Sequence, residues 1–114
     1  MTGCLFCEIA AHRVPATFVR DDGDVLAIRD INPQAPTHIL VLPREHIESV
    51  AHLASAHEHL WGRMLAVAQE IAREEGIEEA GYRLVSNVGR AGGQTVPHLH
   101  VHLLGGRQMT WPPG

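Results

Sequence analysis

Residues 97 to 104 read PHLHVHLL, which sets His98, His100 and His102 in strict alternation with Leu99, Val101 and Leu103. Alternation is the period of a β-strand, whose successive side chains point to opposite faces, so residues two apart share a face about 6.6 Å from one another. The pattern predicts a strand with three apolar residues against a core and three imidazoles on the other side. Stacking three imidazoles away from water has a desolvation cost and adds little to packing. Near neutral pH an imidazole serves as nucleophile, general acid or base, or metal ligand. The row is therefore read as a site.

The rest of the chain supplies partners for such a strand. VPATFVRDDGDVLAIRD predicts two short strands, around Phe18–Arg20 and Asp24–Ile28, joined at Asp22-Gly23. THILVLP predicts a third, ended by Pro43, and GYRLVSN a fourth; the triad strand ends at Gly105-Gly106. REHIESVAHL suggests a short helix. A long one follows, with Ser55 and Glu58 at capping-box spacing and Leu60, Met64, Val67 and Ile71 on one face, stopping at Gly76. The loop VGRAGGQTV, between the last two strands, is rich in backbone N–H groups. These elements predict one α+β domain over residues 1–114, a five-stranded and mostly antiparallel sheet packed by one long helix and a short one.

Composition removes several classes of function. A formal net charge of −4 argues against a nucleic-acid backbone or an anionic membrane as the main partner. No apolar run approaches the ~20 residues that span a bilayer, and MTGCLFCEIA lacks the pattern of a signal peptide. The expectation is a cytoplasmic protein. In that compartment a structural disulfide is disfavoured, so the C-x-x-C of Cys4 and Cys7 leaves metal binding or redox chemistry, with metal favoured. Of the nine histidines, His12, His52, His57 and His59 read as solvated surface residues, as does Arg90 among the cations.

The chemistry left open to the triad is nucleophilic or metal-based. His100, flanked on both sides, is the natural nucleophile, provided that a neighbouring histidine or a backbone carbonyl holds the proton of its other nitrogen. No G-x-S-x-G elbow supports a serine hydrolase. The GGQT segment offers backbone donors and the Thr95 hydroxyl to an anionic phosphate oxygen. It lacks Walker A spacing, and the chain contains no lysine.

HLHVHLL also matches the His-x-His-x-His signature of the histidine-triad superfamily. DINPQAPTHILVLPREHI, GGQTVPHLHVHLLGGRQM and the terminal WPPG resemble its nucleotide-binding phosphoramidase branch, from about Cys4 to Gly114. The resemblance implies a homodimer whose two sheets join into one of ten strands. It implies hydrolysis of purine nucleoside phosphoramidates or acyl-adenylates through a nucleotidyl-histidine, releasing AMP or GMP. Two other readings are hydrolysis of dinucleoside polyphosphates, as in another branch, and a nucleotide-binding adaptor with incidental hydrolysis.

By the same resemblance, His100 is the nucleophile, His102 and His38 form its hydrogen-bond relay, and Thr95 serves the leaving amine. Leu5, Phe6, Ile9, Ile28 and Ile31 line the base slot, and Asp30 takes the ribose hydroxyls. Asn87, Gly93, Gln94, Thr95 and Val96 join His100 and His102 around the nucleotide. Cys4, Cys7, His46 and His98 are implied to bind a structural zinc. Two positions depart from the family pattern: Thr95 stands where the animal proteins usually have serine, and Ile28 where an aromatic often flanks the base. No organic cofactor is expected.

Overall fold

A computed structural model describes residues 3–114. Helix α1 spans Leu5–Ala10, and strands β1 (Phe18–Asp22), β2 (Val25–Arg29) and β3 (Thr37–Pro43) follow. Helix α2 spans Glu58–Glu74, and β4 (Tyr82–Val85) and β5 (Val101–Gly105) complete the chain. The five strands form one sheet in the order β1-β2-β3-β5-β4, with every neighbouring pair antiparallel.

Both faces of this sheet are covered, which explains why β3 is buried along its whole length. On one side α2 lays Met64, Val67, Ala68, Ile71 and Ala72 on Val25, Ala27, Ile39, Val41, Leu99, Val101 and Leu103. On the other, Phe6, Ile9 and Ala10 of α1 cover Leu26, Ile28, Leu40 and Leu42. Arg20 on β1 adds ion pairs to Glu70 and Glu74 of α2 at 2.8 and 3.1 Å.

The α+β expectation holds, with local corrections. The first hairpin strand runs two residues longer than the sequence suggested, the second keeps its length but is shifted by one residue, and the two residues between them are Gly23-Asp24. The short helix is α1, whose six residues give no readable period, and not REHIESVAHL. That segment holds only a 3-10 turn, Val50–His52, because the backbone becomes extended again at Leu53. Ser55 does not cap α2 either: it opens a second 3-10 turn, Ser55–His57, where the Ala54 N–H donates to His57 Nδ1 at 3.0 Å. Met64, Val67 and Ile71 are buried as the period predicts, with Leu60 partly so.

The triad strand is the most informative correction. Ladder pairing starts only at Val101, so His102 alone of the three histidines lies in β5. Pro97 has no N–H to donate, and the next N–H groups leave the sheet: His98 donates to Val96 O and Leu99 to Ile47 O. The alternation survives this departure. Leu99, Val101 and Leu103 are all in the α2-facing core.

Candidate active site and metal centre

His100 lies just before β5 and is almost fully buried. Its Nδ1–H donates to the carbonyl oxygen of His98 at 2.6 Å. That bond fixes the tautomer and leaves Nε2 with the lone pair. Burial holds the His100 pKa below the usual value, against the raising effects of the carbonyl bond and of Asp30. The ring is therefore neutral at pH 7, the state in which nitrogen is nucleophilic. Phe6 stands edge-on to it, centroids 5.1 Å apart, and edge-on to His98 at 5.8 Å.

A second chain of bonds starts at a backbone amide. Gln34 N–H donates to His38 Nδ1 at 3.0 Å, which puts the His38 proton on Nε2. His38 Nε2–H donates in turn to His102 Nδ1 at 2.9 Å, so His102 carries its proton on Nε2. One amide thus fixes two tautomers. Burial lowers the pKa of both rings, that of His102 to about 4, with His100 and His38 adding to the effect. His102 and His100 pack as rings, centroids 5.0 Å apart, and the proton of His100 is held by the backbone of His98 instead. Asp30 sits beside this chain: one oxygen accepts from Asn32 N–H at 2.8 Å, and the other lies 3.4 Å from His38 Nε2.

The loop before β5 is braced from inside. Gln94 Oε1 accepts from Gly89 N–H, while Gln94 Nε2 donates to Glu48 O at 2.7 Å and Val96 O at 3.0 Å. The N–H groups of Gly93 and Gln94 are committed to Arg90 O and Gly89 O. Gln94 is thus a brace whose polar atoms are occupied, and fewer loop donors face outward than the sequence suggested. Thr95 is exposed and Asn87 half-buried on the same loop. Gly92 is needed at the tight turn of this loop, since a Cβ there would collide with the backbone carbonyl of Val88, four residues earlier.

Leu5, Phe6, Ile9, Ile28, Ile31, Asp30 and Val96 converge on one apolar cavity of about 220 Å³. Drug-sized sites run to about 300–1,000 Å³, so this slot suits a single ring system rather than a whole nucleotide. Ile31 forms its outer lip and is 97% exposed.

On the far side of Phe6, the C-x-x-C meets two histidines from distant segments. Cys4, Cys7, His46 and His98 bring their ligand atoms within 4.8 Å of one another. His98 Nε2–H donates to Pro43 O at 2.8 Å, turning its Nδ1 lone pair toward Cys4 Sγ at 3.3 Å and Cys7 Sγ at 3.6 Å. Cys7 Sγ lies 3.3 Å from His46 Nδ1. Zinc bond lengths give tetrahedral edges of about 3.3–3.8 Å, so the cluster has the dimensions of a closed site. Burial and the adjacent Cys4 push the Cys7 thiol up to about 11; a cation reverses that balance and makes a thiolate pair tolerable. The residues present fit a metal.

The family model described as "HIT domain" matches residues 11–109. The chain belongs to the HIT domain family. A HIT family hydrolase from Legionella pneumophila, known by crystal structure, is 53% identical with a TM-score of 0.97, covering 98% of this chain and all of that one. The Escherichia coli K12 protein named purine nucleoside phosphoramidase is 50% identical over 105 residues, 92% of this chain and 88% of its own length. A maize protein named 14 kDa zinc-binding protein is 50% identical over 112 residues, 96% of this chain and 87% of its own length.

In this HIT chain the structure also brings in residues that the sequence reading missed. Val14, Pro15 and Ala16 line the cavity beside the expected apolar set; the apolar run ahead of β1 was their only signal. Ser86 donates its hydroxyl to the His100 carbonyl at 2.8 Å, and no motif marks it.

Proposed function

We propose that this chain is a purine nucleoside phosphoramidase acting through a nucleotidyl-histidine at His100. The observation that carries the reading is the bond from His100 Nδ1–H to His98 O. It leaves a neutral, preoriented Nε2 next to a slot sized for one ring system. In the first step that lone pair attacks the α-phosphorus, the phosphorus–nitrogen bond to the leaving amine breaks, and the amine departs with an added proton. That proton comes from solvent water, passed through the Thr95 hydroxyl, while His102 Nε2–H, fixed as a donor by His38, hydrogen-bonds the phosphate oxygens and stabilises their charge. Water then cleaves the phosphorus–histidine bond, releases the nucleoside monophosphate and restores His100.

The base occupies the apolar slot and Asp30 receives the ribose hydroxyls, with its carboxylate already aimed by Asn32 N–H. Support for this activity also comes from the relative named purine nucleoside phosphoramidase. Cys4, Cys7, His46 and His98 would hold zinc, as the name of the maize relative suggests. With no open coordination position, the ion would supply a cross-link rather than bond-making chemistry.

The working unit in this reading is a homodimer. β4 is an edge strand, and Leu84 on it and Val88 just after it are exposed. Trp61 and Leu65 of α2 border the same surface, around a shallow hollow of about 150 Å³. A second copy would cover both the open edge and the apolar patch. The activity is tested with adenosine 5′-phosphoramidate. His100→Ala should lower turnover by orders of magnitude while AMP still binds; near-normal turnover refutes the assignment.

A further inference from the structure

We propose that Ser86 is a positioning residue for His100, an inference that rests on the reading of His100 as the nucleophile. The β4–β5 ladder ends at the pair Val85–His102, and the β3–β5 ladder ends at Val41–Val101. His100 therefore lies one residue beyond the last backbone pairing that could hold it. The residues before it have their own tethers, His98 N–H to Val96 O and Leu99 N–H to Ile47 O.

At His100 the tether is a side chain. Ser86 follows the last residue of β4, and its hydroxyl donates to His100 O at 2.8 Å. It extends the sheet by one bond, at the point where the chain leaves the ladder. Two bonds then define the nucleophile: the Ser86 hydroxyl places the backbone, and His98 O orients the ring. Without the first, the ring could keep its tautomer and still move relative to the phosphorus. Small displacements of a reacting atom are costly to rate because in-line attack tolerates little misplacement. Ground-state binding depends instead on the slot and on Asp30, neither of which Ser86 touches among the described contacts.

The test compares Ser86→Ala with Ser86→Thr, which keeps the hydroxyl, in single-turnover formation of the nucleotidyl-enzyme from adenosine 5′-phosphoramidate. Ser86→Ala should slow formation about tenfold, the scale of one lost hydrogen bond plus misalignment. AMP affinity should stay within about twofold, and Ser86→Thr should recover most of the rate. Ser86→Cys, with a weak donor of similar size, should be intermediate and serves if the alanine variant is poorly folded. A wild-type rate in Ser86→Ala, even with lowered melting, overturns the proposal. So does equal slowing by alanine and threonine, which would assign the effect to shape. His100→Ala is the separate control: if it still turns over, the nucleophile assignment itself fails.

Discussion

His38 Nε2 lies 2.9 Å from His102 Nδ1, and the amide of Gln34 closes the other side of the His38 ring at 3.0 Å. The arrangement works only while both rings are neutral, because a proton on His102 Nδ1 removes the acceptor. Burial, reinforced by His100 and His38, holds His102 near a pKa of about 4. The acid limb of kcat/KM should therefore fall well below pH 6.5, with a plateau through neutrality. A pH–rate profile with its limb at 6.5 contradicts this. His38→Ala, which frees the His102 tautomer, should lower kcat by about ten- to a hundredfold.

The same depression predicts how stability depends on pH. Between about 4 and 6.5 the unfolded chain binds a proton at His102 that the folded chain refuses, so stability rises with pH over that window and is lost on acidification. Denaturant midpoints at pH 7, 6, 5 and 4 should fall steadily below about 6.5. A flat series rules out neutral burial of the ring.

Removal of the metal should act on the fold. A ligand held about a thousandfold above its Kd stabilises by about 4 kcal/mol, worth about 10 °C or more in a domain of this size. Zinc-loaded protein purified without a histidine tag should carry about one ion per chain and lose that melting margin on chelation. Cys7→Ser should lose both ion and margin. Metal-free protein with unchanged melting after chelation would leave Cys4 and His98 a hydrogen-bonding role alone.

Gln94 separates the bracing role from a ligand-binding one. Gln94→Ala removes three bonds and should cost about 1–3 kcal/mol. Gln94→Glu should be worse, because a carboxylate cannot donate to Glu48 O and Val96 O. Urea unfolding of both variants orders them; a harmless glutamate contradicts the brace.

Two glycines, one in the loop before β5 and one in α2, should respond with opposite signs. Gly92→Ala meets Val88 backbone and should destabilise by more than about 1 kcal/mol. Gly62, exposed in the second turn of α2 with open space around it, should gain about 0.5–1 kcal/mol as alanine. Thermal melts of the two variants check both signs.

The triad strand was legible because alternation writes it directly, and Leu99, Val101 and Leu103 kept their core face even where the ladder had not begun. Helix α1 was not, since six residues cover less than two turns and offer no period. The meeting of Cys4 and Cys7 with His46 and His98 spans up to 94 residues of sequence. Spacing alone could not reveal it, and the family resemblance supplied the ligand set. The family resemblance placed Gln94 among the nucleotide contacts; its side-chain amide is already bonded to Gly89 N–H, Glu48 O and Val96 O, which spacing could not show. Ser86 was invisible for the opposite reason: a serine after a strand is ordinary until the strand opposite it ends.

The proposed mechanism turns on a covalent bond between His100 Nε2 and the α-phosphorus. Its most direct measurement is rapid quenching of enzyme mixed with adenosine 5′-phosphoramidate, followed by peptide mapping at alkaline pH, where phosphohistidine-type bonds survive. An adenylyl group is expected on the peptide bearing His100, in the wild type and not in His100→Ala. Turnover with no adduct at any time point, or an adduct on His98 or His102, would contradict it.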